Sequence, residues 1–105
     1  MIRHVLLIKF RSDAQDICGI LDGLKHDTEA LCGAVDGLRS AEVRILPLES
    51  SSADVMIECT FDSPQALDEY KAHPAHTAIA EKYIKPFAAS KLSFDLEERQ
   101  DGAIS

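Results

Sequence analysis

The stretch Ile2–Phe10 constrains the fold of this chain more than any other. Read as a strand, it places Ile2, His4, Leu6, Ile8 and Phe10 on one face and Arg3, Val5, Leu7 and Lys9 on the other. Side chains alternate across a strand, so both faces are apolar through the middle. Such a strand belongs at the centre of a sheet that is covered on both sides. Helices of the same chain can supply one cover. The other needs a further source, and a second copy of the chain would serve.

The remaining segments supply partners for that strand. Ser12 and Gln15 have the spacing of a capping box, which predicts a helix from there. Ile17, Leu21, Leu24, Thr28 and Leu31 recur at steps of four and three and form its apolar stripe. Gly33 is a natural stop after Cys32. Gly19 and Gly23 lie off that stripe, and nothing in the sequence accounts for them. Residues 35–46 predict a second strand, irregular at Gly37, and residues 49–52 a loop. Residues 54–61 predict a third strand with Val55, Ile57, Cys59 and Phe61 on one face. Ser63-Pro64 then opens a helix, with serine as cap and proline in the first turn. Pro74 interrupts that helix, because proline removes a donor and disfavours helix in the residue before it. A last helix over 75–87 carries His76, Ile79, Ala80, Tyr83 and Phe87 on one stripe. Leu92, Phe94 and Leu96 alternate in a final strand, residues 91–96. The order is β-α-β-β-α-β, the ferredoxin-like α+β pattern, with its second helix split.

The whole reads as one domain, residues 1–97, followed by a polar tail, 98–105, expected to fray. Eleven basic against eighteen acidic residues leave a net charge of −7, with no basic cluster. That balance argues against nucleic acid and anionic membranes as partners. The cysteines, Cys18, Cys32 and Cys59, are odd in number and form no C-x-x-C pair, so neither a disulfide framework nor a structural zinc site is expected. The first residues lack the form of a signal peptide or a membrane span, and a cytoplasmic location is expected.

Polar residues stand where apolar ones belong at His4, on the first strand, and at His76, on the last helical stripe. A buried imidazole needs a hydrogen-bond partner or a cavity. Taken singly, each suits a satisfied core histidine. Taken together with Tyr70, which points inward three residues after Leu67, they can converge between helices and sheet, where ligand sites often form. His73, beside the proline break, and Tyr83, on the His76 stripe, are further candidates to line a pocket. His73 and His76 also invite a metal reading, but Pro74 spoils their helical spacing, and Glu58 and Asp95 are the only further ligands in sight. No metal site and no cofactor is expected.

Residues 2–10, Ile-Arg-His-Val-Leu-Leu-Ile-Lys-Phe, resemble the first strand of the Dabb family, the stress-responsive A/B-barrel proteins. So do Thr60-Phe61-Asp62-Ser63, the run Tyr70-Lys71-Ala72-His73-Pro74-Ala75-His76, and Ser93-Phe94-Asp95. The tyrosine followed by His-Pro-x-His is the most specific of these. The resemblance implies a homodimer in which two four-stranded antiparallel sheets pack face to face as a dimeric α/β barrel. It implies a pocket for a small organic molecule between helices and sheet. In polyketide cyclases of this family a histidine acts as base with a tyrosine beside it, matching His76 and Tyr70 here, with His4 adjacent. Three functions stay open: binding without turnover, an enzyme acting next to a carbonyl (cyclase-like or cofactor-free monooxygenase-like), and a purely structural dimerisation domain.

Overall fold

The computed structural model describes residues 1–98; the expected polar tail, apart from Glu98, lies outside the described residues. The elements are β1 (Ile2–Phe10), α1 (Ile17–Glu29), β2 (Leu38–Arg44), β3 (Val55–Phe61), α2 (Pro64–Ala72), α3 (Pro74–Ile79) and β4 (Ala88–Glu97). A π-helical turn, Ala80–Ile84, continues α3. The strands form one antiparallel sheet in the order β2-β3-β1-β4, so β1 is central, as its sequence demands. This is the expected ferredoxin-like α+β fold.

The helices cover one face of the sheet. Ile8 and Phe10 of β1 and Val55, Ile57, Cys59 and Phe61 of β3 meet Leu21 and Leu24 of α1, Leu67 and Tyr70 of α2, and Ile79, Tyr83 and Ile84 beyond them, all buried. Each large apolar side chain so buried contributes about 1.5–3 kcal/mol relative to exposure. The opposite face carries Val5 and Leu7, half-buried, with Leu92 and Phe94 of β4 beside them, 68% and 66% exposed. The described residues leave this apolar face uncovered.

The helix layer also stops short of the sheet edge. Lys91, Ser93 and Asp95 sit opposite Ile8, Leu6 and His4 and share their helix-side face. All three are exposed, and Leu6 is only half-buried. An open trough therefore runs along β4, exposed at the sheet edge and bordered by the helix layer on one side only.

Several local expectations need correction. The Ser12–Gln15 box does not start a helix. α1 begins at Ile17 behind Asp16, which has a left-handed φ of 57° and makes no side-chain cap. The Arg11 amide donates to the Phe87 carbonyl, and Arg11 pairs with Asp13, so residues 11–14 are committed to a turn at the foot of β4. α1 ends at Glu29, before Cys32. The Glu29 carboxylate accepts from Lys25 and from the Val43 amide, which ties the helix end to β2. Gly33 then serves the following turn, with φ of +96°. β2 spans Leu38–Arg44 rather than 35–46, but the irregularity at Gly37 is present as a φ of +83° and a register shift after Leu38. The last helix is not regular to Phe87. The Lys85 amide donates to the Ala80 carbonyl, which sets the π turn, and Pro86 lies just beyond it.

Gly23 now has a reason. A Cβ there would stand 2.5 Å from Cε1 of Tyr83, so the glycine lets that ring lie against α1. Gly19 is different: its neighbour is the movable end of the Asp16 side chain. Among the described residues no helix is long and apolar enough to cross a membrane.

Candidate functional site

The break at Pro74 builds the site. His73 leaves the helical region, with ψ of 136°, and Pro74 restarts the chain as α3. The turn brings His76 back over the end of α2. Its ring lies 4.5 Å from that of Tyr70, tilted by 52°. Tyr70 rests in turn on Phe61, at 5.1 Å between centroids.

Tyr70 is buried, and burial pushes its phenol far above the usual range. The Cys59 thiol beside it is fully buried and is pushed up to about 11, chiefly by the same desolvation. Neither group ionises at neutral pH, so Tyr70 serves as a neutral O–H donor. It cannot serve as a base.

His4 reaches the cluster from β1. Register places it between Cys59 on β3 and Asp95 on β4. Its Nδ1 bonds to Oδ1 of Asp95, and Lys71 Nζ lies 3.4 Å from Oδ2. The carboxylate only accepts, so Nδ1 carries the proton of this bond. The bond to His4 is the main reason that Asp95 lies below the ordinary carboxylate range. β1, β4 and α2 are thus joined through one carboxylate.

His76 is only half-buried as a residue, yet its Nδ1 is shielded and has no hydrogen-bond partner among the described residues. Desolvation holds its pKa below the ordinary histidine value; the Lys71 carbonyl opposes this, and the charges of His4, Lys91 and Lys71 reinforce it. A group whose folded pKa is depressed binds its proton more weakly than in the unfolded chain. Its stabilising contribution is therefore complete above the unfolded value of about 6.5 and declines as pH falls below it. Urea unfolding should show a drop in stability between about pH 7.5 and 5.5, and His76→Gln should show a smaller drop. Equal drops in both would mean that the ring titrates as it does in an unfolded chain.

The other sequence-based candidates lie elsewhere in the contact pattern. His73 caps α3: its Nδ1 accepts from the Ala75 amide at 3.1 Å. Tyr83 donates to Oδ2 of Asp27 at 2.7 Å, which pins the π turn to α1. Glu58 pairs with Arg3 and Arg44 on the uncovered face of the sheet. Among the described residues, no three His, Cys, Asp or Glu side chains gather as a group able to hold a metal.

Asp95, Cys59 and Lys71 belong to the cluster's surroundings but went unrecognised there in the sequence. Asp95 entered only as a metal candidate and Cys59 only as a core residue. The signal that finds Asp95 is register: once β1 and β4 are paired antiparallel, His4 and Asp95 become opposite. Beside the cluster a cleft of about 300 Å³ opens between α2 and the sheet edge. Ile2, Leu67, Lys71, Asp95 and Glu97 are among its walls.

The fold recurs in solved structures. A dimeric protein of unknown function with a ferredoxin-like fold from Bacteroides fragilis is 23% identical, with a TM-score of 0.85 over 92% of this chain and 95% of that one. A Dabb family protein from Mesorhizobium loti is 17% identical, with a TM-score of 0.71 over 93% and 96%. A hydroxynitrile lyase from Passiflora edulis is 12% identical, with a TM-score of 0.75 over 94% of each chain. At these identities the likeness is one of fold. No curated protein matches the sequence. The family model described as Stress responsive A/B Barrel Domain matches residues 2–98, nearly all of the described chain, and the protein therefore belongs to the Dabb family.

Proposed function

We propose that this protein is a homodimer that binds a small organic molecule between its helices and its sheet, at the cluster of Tyr70, His76 and His4. The observation that carries the reading is the orphaned Nδ1 of His76. A buried polar atom without a partner costs on the order of 1–3 kcal/mol. Native structures rarely keep one without a use. Here it sits against Tyr70, in a ring cluster suited to a flat apolar body. A polar group of a ligand would supply the missing bond. The nitrogen is shielded in the free chain, so binding calls for the half-buried ring to turn toward the trough along β4. The dimer is supported by the uncovered apolar face of the sheet and by the dimeric neighbour from Bacteroides fragilis.

The test uses 4-ethylphenol as probe, titrated into the labelled protein and followed by amide shifts in NMR. Shifts should centre on residues near His4, Tyr70 and His76, with binding at least fivefold weaker in His76→Ala. Equal affinity in that variant would remove this site from consideration.

A second reading has its own support. Burial keeps His76 neutral at physiological pH, as a general base requires, and Tyr70 beside it keeps its proton and can donate to a developing enolate. On this reading the protein is an enzyme acting next to a carbonyl, with His76 as base, Tyr70 assisting and His4 held in place by Asp95. Turnover of a carbonyl substrate, lost in both His76→Ala and Tyr70→Phe while the protein stays folded, would decide for it over binding alone.

A further inference from the structure

We infer that the ligand is an organic anion, and that Lys91 in the trough along β4 holds its carboxylate or equivalent acidic group. The inference rests on the binding site proposed above and names the class of molecule that enters it.

The protein is acidic overall, at −7, yet this part of it is not. Lys91 faces the helix side of β4, opposite Ile8, and is exposed there. Lys71 and His76 stand on the helical wall, and His4 lies in the floor. The local acid, Asp95, is committed to His4 and Lys71. Among the described residues no ion pair engages Lys91, so the trough keeps an unspent cation at one end.

The trough is polarised along its length. From Lys91 to Asp95 it spans about 13 Å at roughly 3.3 Å per residue, enough for a small molecule. Beyond the Asp95 end lies the cleft whose walls include Asp68, Asp95 and Glu97. Those carboxylates repel an anion. The charged end of the ligand is therefore directed to Lys91. Its apolar body then lies over half-buried Leu6 and toward the His76 and Tyr70 rings. Ser93, between Lys91 and Asp95 on the same face, offers a hydroxyl to the middle of the molecule.

The experiment compares phenylacetate with 2-phenylethanol, which share a ring and chain length and differ in charge. Each is titrated into the labelled wild-type protein and into Lys91→Gln and Lys91→Arg, with amide shifts as readout. Lys91 is exposed, so both variants should fold, and their unligated spectra verify it. Phenylacetate should bind more tightly than the alcohol to wild type. It should weaken about fivefold in Lys91→Gln and recover in Lys91→Arg, the loss expected for one partly exposed charge pair. Added salt should weaken phenylacetate alone. Equal binding of both probes to wild type and Lys91→Gln would overturn the anion assignment and leave the pocket standing. If neither probe shifts residues around His4 and His76, the pocket fails, and the anion assignment fails with it.

Discussion

Replacing Leu92 and Phe94 together with lysine should turn a dimer into a monomer, read by sedimentation equilibrium at micromolar concentration. Both side chains lie on the sheet face away from the helices, 68% and 66% exposed, beside Leu7 and Val5 in register. Large apolar groups clustered on one face mark an interaction surface. A partner sheet packed face to face would bury them. Each burial contributes about 1.5–3 kcal/mol, and the symmetric interface contains each residue twice. Removing about 6 kcal/mol or more shifts a dissociation constant by at least about four orders of magnitude. The introduced lysines would also bring like charges into the interface from both subunits. The helices pack on the other face, so the fold should survive in the monomer, with an unchanged far-ultraviolet circular dichroism spectrum. A double variant that sediments as wild type would show that this face is not where copies meet.

How much of this was legible in the sequence depended on whether the deciding contacts were local. β1 was plain because alternation alone places its residues. The break at Pro74 was plain because proline acts on its own neighbours, and it positions His76 over Tyr70. The capping box failed because a distant bond, from the Arg11 amide to the Phe87 carbonyl, outweighs a local cap. Gly23 had no visible reason until Tyr83 arrived from sixty residues away to occupy the space beside it. Asp95 was missed for the same cause, since its partnership with His4 exists only in the register of β1 against β4. His73 shows the reverse case. Its chemistry suggested a pocket, but the proline after it leaves the Ala75 amide near its ring, and the nitrogen caps a helix instead. Residues joined through long-range pairing were the hidden part of the site.

Phe61→Ala should be among the most damaging single substitutions in this chain, and it should strike the site as well as the fold. The ring is fully buried at the end of β3, opposite Ile2 on β1 and Leu38 on β2. Truncating a buried phenylalanine costs about 3–5 kcal/mol, through lost transfer energy and the cavity left behind. A small domain has only about 5–15 kcal/mol in total, so much of its stability would go. Tyr70 rests on this ring and His76 rests on Tyr70, so the cavity opens directly beneath the cluster. Tyr70 should sink toward it and withdraw its hydroxyl from any ligand. Urea unfolding at one fixed protein concentration measures the first effect, because the proposed dimer would make stability depend on concentration. The 4-ethylphenol titration measures the second. Phe61→Leu, which refills most of the space, should recover the greater part of both. If Phe61→Ala lost stability while binding the phenol as wild type does, Tyr70 would not be held by the core beneath it, and the stacked rings would not form the pocket's wall.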